Sequence, residues 1–495
     1  MYRPARQRPS ARRVSFWVLG IAASLDSAYI AWRAGGDAGI VAGCVLVLLV
    51  CLPLAARLLR DPLDGPGIYA TLSALCYGVM SLSWIGDTPP IPAPGVARGD
   101  VAQALVLVAC GLLAFNVAAR LAAGPARPRP PLTGGESDRM PVLLLVGLYV
   151  VGAVGLAIGL KVGAIGFNSD AAASTETLAY NQGFQQLGLL GGLASGAFAL
   201  WVFRRPDRRL LWLLFALVAG QVLGGFVTGY KQQALLPVLF VGAAYVSCCG
   251  RVPWKAVAIG VAAGILVLLP ATIVYRSILR PSESAGATNV RTPGGLLDET
   301  ADYLNVRFRL VDSVALIHTR TPAVYPYANG HRYTLLPALV AVPRALWPDK
   351  PILNDGLEFS HTYWEIPPTN LTATPLTQPG DLYRNFAWPG VLVGMAIWGL
   401  LVGMLTRCNG ERRSPRLELV RVVALVVAVA FIDSDLPQLL AGASRTLLVA
   451  SVVAWLALPG ATAPPGFTRL RHAAGRLARP RLARPAHGVS QVRNH

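Results

Sequence analysis

The sequence predicts an all-α polytopic integral membrane protein of about twelve transmembrane helices with one large extracytoplasmic loop. Three observations predict it. Of the 495 residues 54% are hydrophobic and only 14% charged, with a mean hydropathy of +0.50, whereas soluble domains carry about 25% charged residues. Apolar runs of the length that crosses a bilayer core as a helix, about 20 residues, recur along the chain. The cations gather between those runs and at the two ends, the pattern of cytoplasmic loops. The net charge of +19 and pI near 10.1 are therefore assigned to membrane topology and not to nucleic acid.

Taken in order, the apolar runs fall near 14–32, 38–58, 67–85, 101–123, 141–160, 184–203, 209–229, 234–250, 254–275, 386–406, 417–436 and 438–458. "MYRPARQRPSARR" ahead of the first run is followed by no A-x-A-like cleavage site, so 1–13 is expected to be a basic tail leading into a retained helix. Arg57 and Arg60 follow the second run, Arg127, Arg129 and Arg139 the fourth, and Arg204, Arg205, Arg208 and Arg209 the sixth. Arg251 and Lys255 follow the eighth, and Arg407, Arg412, Arg413 and Arg416 the tenth. Every second loop is cationic and the short loops between are nearly bare, which predicts that both termini are cytoplasmic. The expected organisation is a tail at 1–13, nine spans over 14–275, an extracytoplasmic loop at 276–385, three spans over 386–458 and a basic tail at 459–495.

The loop is the polar part of the chain, with ten Arg or Lys balanced by ten Asp or Glu and with His318, His331 and His361. Long loops within ordered proteins are usually functional. "LLDETADYLNVRFRLVDSVALIH" (296–318) has apolar residues at helical spacing and predicts an amphipathic helix on or near the membrane surface. Rich in proline and aromatics, 343–385 reads as an ordered, irregular loop. All seven cysteines lie in or at the ends of apolar runs, so no disulfide framework is expected in the loop, and no metal-spaced cluster is present.

Lys231 in "TGYKQQALLP", Arg276 and Arg280 at the end of the ninth run, Arg344 and Lys350 in "AVPRALWPDKPILNDG", and Arg445 within the last run form a cationic set expected at one membrane face. Arginine offers a planar fork and lysine a point charge, both suited to phosphate, so a pyrophosphate at the lipid boundary is the expected anion, held without a metal. Lys231 can equally snorkel, and Arg445 can pair with Asp433 or Asp435; Asp26 is a further interior polar residue. Trp347, Tyr363, Trp364, Asp381 and Tyr383 are candidates for holding a glycan, with Trp388 assigned to the interfacial belt. The candidate general bases are His361 and Glu358, with Glu365, Asp381 and His331 behind them.

"GYKQQALLP", "VPRALWPDKP" (342–351) and "GDLYRNFAWPGVLVGM" (380–395), set in this hydropathy layout, resemble the O-antigen (Wzy-type) polysaccharide polymerases, with Ala387 and Trp388 where a glycine is more usual in that family. The resemblance implies a GT-C-like layout and a metal-independent glycosyl transfer without cofactors on the outer face of the cytoplasmic membrane. In it a glycan on undecaprenyl pyrophosphate is passed to a new lipid-linked repeat unit, building a surface polysaccharide such as a capsule, exopolysaccharide or O-antigen. It also implies that Lys231, Arg344 and Lys350 bind the pyrophosphate, and that a chain-length regulator and a flippase are partners. An O-antigen ligase or other lipid-linked-sugar transferase shares the layout. A flippase or exporter is the non-enzyme alternative, expected to show inverted repeats about a midplane site.

Overall fold

The computed structural model describes residues 36–86, 93–125, 142–162, 175–204, 207–228, 231–279, 293–342, 346–347, 350–351, 355–368, 373–407 and 414–458. Among them the regular structure is entirely helical. Seven helices are long and apolar enough to cross a bilayer: Gly36–Leu59, Arg98–Ala123, Val142–Lys161, Arg208–Thr228, Trp254–Val274, Gln378–Thr406 and Leu436–Ala457. The chain is thus a multi-pass α-helical membrane protein. The run expected at 14–32, with Asp26, lies outside the described residues.

In chain order the helices are α1 (Gly36–Ala55), α2 (Gly65–Ser73), α3 (Arg98–Ala123), α4 (Val142–Lys161), α5 (Thr175–Val202), α6 (Arg208–Thr228), α7 (Lys231–Cys249), α8 (Trp254–Ala263) and α9 (Leu269–Leu279). They continue as α10 (Pro293–Phe308), α11 (Val311–Arg320), α12 (His331–Ala341), α13 (Asp355–Thr362), α14 (Gln378–Thr406), α15 (Pro415–Ala430) and α16 (Leu436–Ala457). Several starts are written in the local sequence. Asp64, Thr377, Ser414 and Asp435 each accept a backbone N–H of the first turn with proline at its first or second position, which satisfies an otherwise orphaned donor where proline has none to lose.

Helix α14 packs along α3, and the closeness of that contact rests on small residues. A Cβ on Gly399 would collide with the Phe115 carbonyl, and one on Gly403 would lie 2.6 Å from the Ala119 carbonyl oxygen. The spacing Gly399–x–x–x–Gly403 therefore lets two backbones meet where lipid supplies no hydrophobic drive of its own. Helices α4 and α5 use the same device at Gly152, whose Cβ would lie 2.9 Å from the Gly191 nitrogen.

Three expectations change. The single amphipathic helix over 296–318 is two helices, α10 and α11, broken at Arg309 and Leu310, and α11 is buried from Val311 to Ile317 instead of lying on a surface. Buried Arg309 causes the break. Its Nε binds Asp312 at 2.7 Å and its guanidinium lies 5.6 Å from the centre of the Trp84 ring, while Trp84 Nε1 donates to Asp312 at 2.8 Å. The 343–385 segment is partly helical, holding α13 and the first two turns of α14. The hairpin expected near 437 turns at 431–435, because Asp435 caps α16.

Replacing Gly399 with alanine is expected to lower the thermal unfolding midpoint in detergent, at a cost of about 1–3 kcal/mol from overpacking. Gly442→Ala, where an added Cβ meets nothing within 4 Å, is expected not to lower it.

Candidate functional site

Eight residues at the start of α14, Gln378–Asn385, are all buried although half of them are polar or charged. Gln378, Asp381 and Asn385 are each held by hydrogen bonds. Gln378 Nε2 donates to the Phe431 carbonyl at 2.7 Å and its Oε1 accepts from the Tyr69 hydroxyl at 3.0 Å. Asn385 Nδ2 donates to Asp381 Oδ1 at 3.0 Å, and its own Oδ1 accepts from the Gly330 N–H at 3.1 Å. The Tyr333 hydroxyl donates to Asp381 Oδ2. Burial and that carboxylate push the Tyr333 hydroxyl far above its ordinary value, so it stays a donor.

The segment ends in a break. Ala387 has φ +56° and ψ −154°, a conformation glycine enters freely and alanine does not. The bend folds the first turns back onto the next ones: a Cβ on Gly390 would lie 2.8 Å from the Leu382 carbonyl oxygen. Its consequence is an apolar groove of about 440 Å³ beside the bend, running from Tyr333, Leu382 and Leu436 past Phe386 and Val393 to Ile397. Phe386, Val393 and Ile397 are exposed, so the groove opens on the surface that lipid would cover.

A charged chamber lies near this groove, with Arg384 in electrostatic reach of Tyr333 in the groove's lining. Arg384, only 7% exposed, approaches Asp355 at 3.8 Å and Glu358 at 3.9 Å, beyond hydrogen-bonding range. Its Nε is buried without a hydrogen-bond partner. Arg332, at the first turn of α12, forms ion pairs with both Asp355 and Glu358. Asp355 is 1% exposed and Glu358 50% exposed. Asp435, within electrostatic reach of Arg384 and Arg332, is held above the ordinary carboxylate range by burial. Among the described residues no group of His, Cys, Asp and Glu fits a metal ion.

Helix α13 is placed by Ser360, whose hydroxyl lies 3.0 Å from that of Thr374 and accepts the Thr374 N–H at 2.8 Å. A tyrosine-rich layer lies under the chamber. Tyr363 packs between Phe359 and Tyr325, with centroids 5.0 and 4.8 Å away, and its hydroxyl lies 2.7 Å from that of Thr321. Tyr383 packs between His318 and Tyr327 at 5.2 and 6.2 Å. Burial lowers the affinity of His318 for a proton.

Of the residues predicted from sequence, the structure gathers Glu358, Asp381, Tyr363 and Tyr383 in and beneath this chamber. Tyr363 and Tyr383 are buried, their rings covered by other aromatics. His361 lies one turn from Glu358 on α13, its Nδ1 donating to the Ile366 carbonyl at 2.9 Å. Trp364 is partly buried beside the same helix, and Trp347 is half-buried ahead of it. Lys350 folds back to donate to the Val342 carbonyl at the end of α12, 2.8 Å away. Arg445 Nε donates to the Ala441 carbonyl at 3.0 Å within α16. Of its expected partners, Asp433 instead binds Arg307 at 3.0 Å and Asp435 caps α16. Glu365 pairs with Arg320 at 2.8 Å, and His331 is exposed at the start of α12. Arg280 and Arg344, and the side chains of Lys231 and Arg276, lie outside the described residues.

Arg332 and Arg384 do not stand out in the sequence. Arg384 lies inside "GDLYRNF", three residues after Asp381 and so on the same side of one helix. That spacing was the available signal.

Two substitutions test this geometry. Ala387→Gly is expected to raise stability by about 1 kcal/mol by relieving the positive φ, read as a higher unfolding midpoint. Asp435→Asn keeps the cap and removes a buried charge. Because the folded protein raises the affinity of Asp435 for a proton, wild-type stability from this group is full below the unfolded value and is lost as pH rises through the folded one. The Asn variant is therefore expected to be the more stable at about pH 8, with the difference vanishing towards about pH 4. Comparison of the chain with protein-family models, curated proteins and solved structures found no match.

Proposed function

We propose that this protein is a membrane glycosyltransferase that polymerises oligosaccharide repeat units carried on a polyprenyl pyrophosphate, undecaprenyl pyrophosphate in the family it resembles. In this reading the chain has twelve spans with both termini cytoplasmic, and the chamber lies on the outer face of the cytoplasmic membrane. The observation that carries the reading is a juxtaposition. Arg384, buried with its Nε unmet, lies within electrostatic reach of Tyr333, which lines an apolar groove that opens on the lipid-facing surface. A substrate with one anionic head and one long apolar tail satisfies both features at once.

The chemistry follows from the parts. The bond between the anomeric carbon and the pyrophosphate oxygen breaks as the acceptor hydroxyl oxygen bonds to that carbon. Charge builds on the departing pyrophosphate, where the fixed guanidinium groups of Arg384 and Arg332 stabilise it in a site of low dielectric. The acceptor proton goes to a base on α13. His361 is the side chain suited to receive it, since an Nδ1 that donates to Ile366 leaves Nε2 as an acceptor. A ligase shares these requirements and differs in its acceptor.

The test uses purified protein in lipid, supplied with lipid-pyrophosphate-linked oligosaccharide from its host, with products resolved on a gel. The expected result is a ladder spaced by whole repeat units, reduced by about 100-fold or more in Arg384→Ala. Substrate unchanged in length but moved across the vesicle would replace the enzyme reading with a flippase.

A further inference from the structure

The charges of the chamber are already matched before any ligand arrives. Arg332 is engaged by Asp355 and Glu358, and Arg384 lies within 4 Å of the same two carboxylates. The two acids are not equivalent. Asp355 is 1% exposed and begins α13, while Glu358 is 50% exposed one turn later. An incoming phosphate competes with these carboxylates for the two guanidinium groups, and of the two acids only Glu358 has water to move into. A buried acid stripped of its cations is costly, whereas a half-exposed one is readily solvated.

We infer that Glu358 is an internal stand-in for the ligand's phosphate. It holds Arg332 and Arg384 in their binding geometry when the chamber is empty, and the pyrophosphate of the substrate displaces it. Asp355 stays in place as the fixed counter-ion that orients both guanidinium groups. The ligand class is a pyrophosphate or phosphate ester on a single apolar chain, because the groove near the chamber is lined by Leu382, Phe386, Val393 and Leu436. This deepens the reading of the chamber as the anionic end of a lipid-linked site and uses nothing about polymerisation. Its consequence is a signature opposite to that of an ordinary contact residue: removing the Glu358 charge strengthens binding.

The experiment measures binding of geranylgeranyl pyrophosphate and of inorganic pyrophosphate to the full-length protein in lipid nanodiscs, for wild type, Glu358→Gln and Arg384→Ala. Unfolding midpoints are taken on the same samples, and Glu358→Ala serves as a second variant should the glutamine one lose its fold. Glu358→Gln is expected to tighten geranylgeranyl pyrophosphate binding by about threefold to tenfold, and Arg384→Ala to weaken it by about tenfold or more. Unchanged or weaker binding in Glu358→Gln, with the loss in Arg384→Ala retained, overturns the stand-in role and leaves the anion site standing. Wild-type affinity in Arg384→Ala overturns the site itself, and with it the reading under Proposed function. Tighter binding of the prenyl ligand than of inorganic pyrophosphate assigns the anion to a lipid; equal affinities overturn that assignment.

Discussion

A polar segment buried between membrane helices is costly unless its donors and acceptors are met from within the protein, and in Gln378–Asn385 the buried side-chain groups are met, the Nε of Arg384 excepted. Its carbonyls, amides and carboxylate are tied to Tyr69 on α2, to the loop before α12, to Tyr333 and to the α15–α16 turn. The Thr377 N–H adds a bond to the Asp433 carbonyl at 3.1 Å. These bonds join parts of the chain far apart in sequence, so the position of α12, the turn at 431–435 and the bend at Ala387 are set by one buried core of hydrogen bonds. The segment is bracketed by Thr377 and Ala387, two non-glycine residues at positive φ, and strain of that kind is tolerated where the surroundings over-determine it.

The bend turns that constraint into a site. Because α14 breaks at Ala387, its polar turns face α12 and α13 while the following turns run along α3, and a groove is left on the open side. Arg384 thereby stands beside the acids of α13, while Leu382 and Phe386, two positions to either side of it, line the groove. Burying a guanidinium costs several kcal/mol, recovered only through well-placed counter-charges. Here the counter-charges on α13 stand at 3.8 and 3.9 Å, so Arg384 keeps donor capacity for a ligand.

Much of the architecture was legible in the sequence for simple reasons. Length and hydropathy located the seven helices long and apolar enough to cross a bilayer, and Asp or Thr two residues ahead of proline, or Ser directly before it, marks the starts of α2, α14, α15 and α16. Less was legible where tertiary partners override the local pattern. The apolar spacing of 296–318 gives no sign that Arg309 will be buried against Trp84, 225 positions earlier, and that contact splits the helix. At 387 the backbone adopts a conformation suited to glycine despite the alanine, which nothing in the local residue pattern announces. Glu358, His361, Asp381 and Tyr383 were named from sequence because they lie in a polar, aromatic loop. Arg332 and Arg384 were not, because a cation inside a folded core looks, in one dimension, like any other surface arginine.

The central claim is that one ligand occupies the chamber and the groove together. A photoreactive prenyl pyrophosphate with a diazirine on its chain, cross-linked to the protein in nanodiscs and mapped by mass spectrometry, tests it directly. The account predicts labels on Val393, Ile397 and Leu440, all of which line the groove, suppressed by excess unlabelled prenyl pyrophosphate. Labels spread over the lipid-facing surface of Trp254–Val274, with none in the groove, would contradict it.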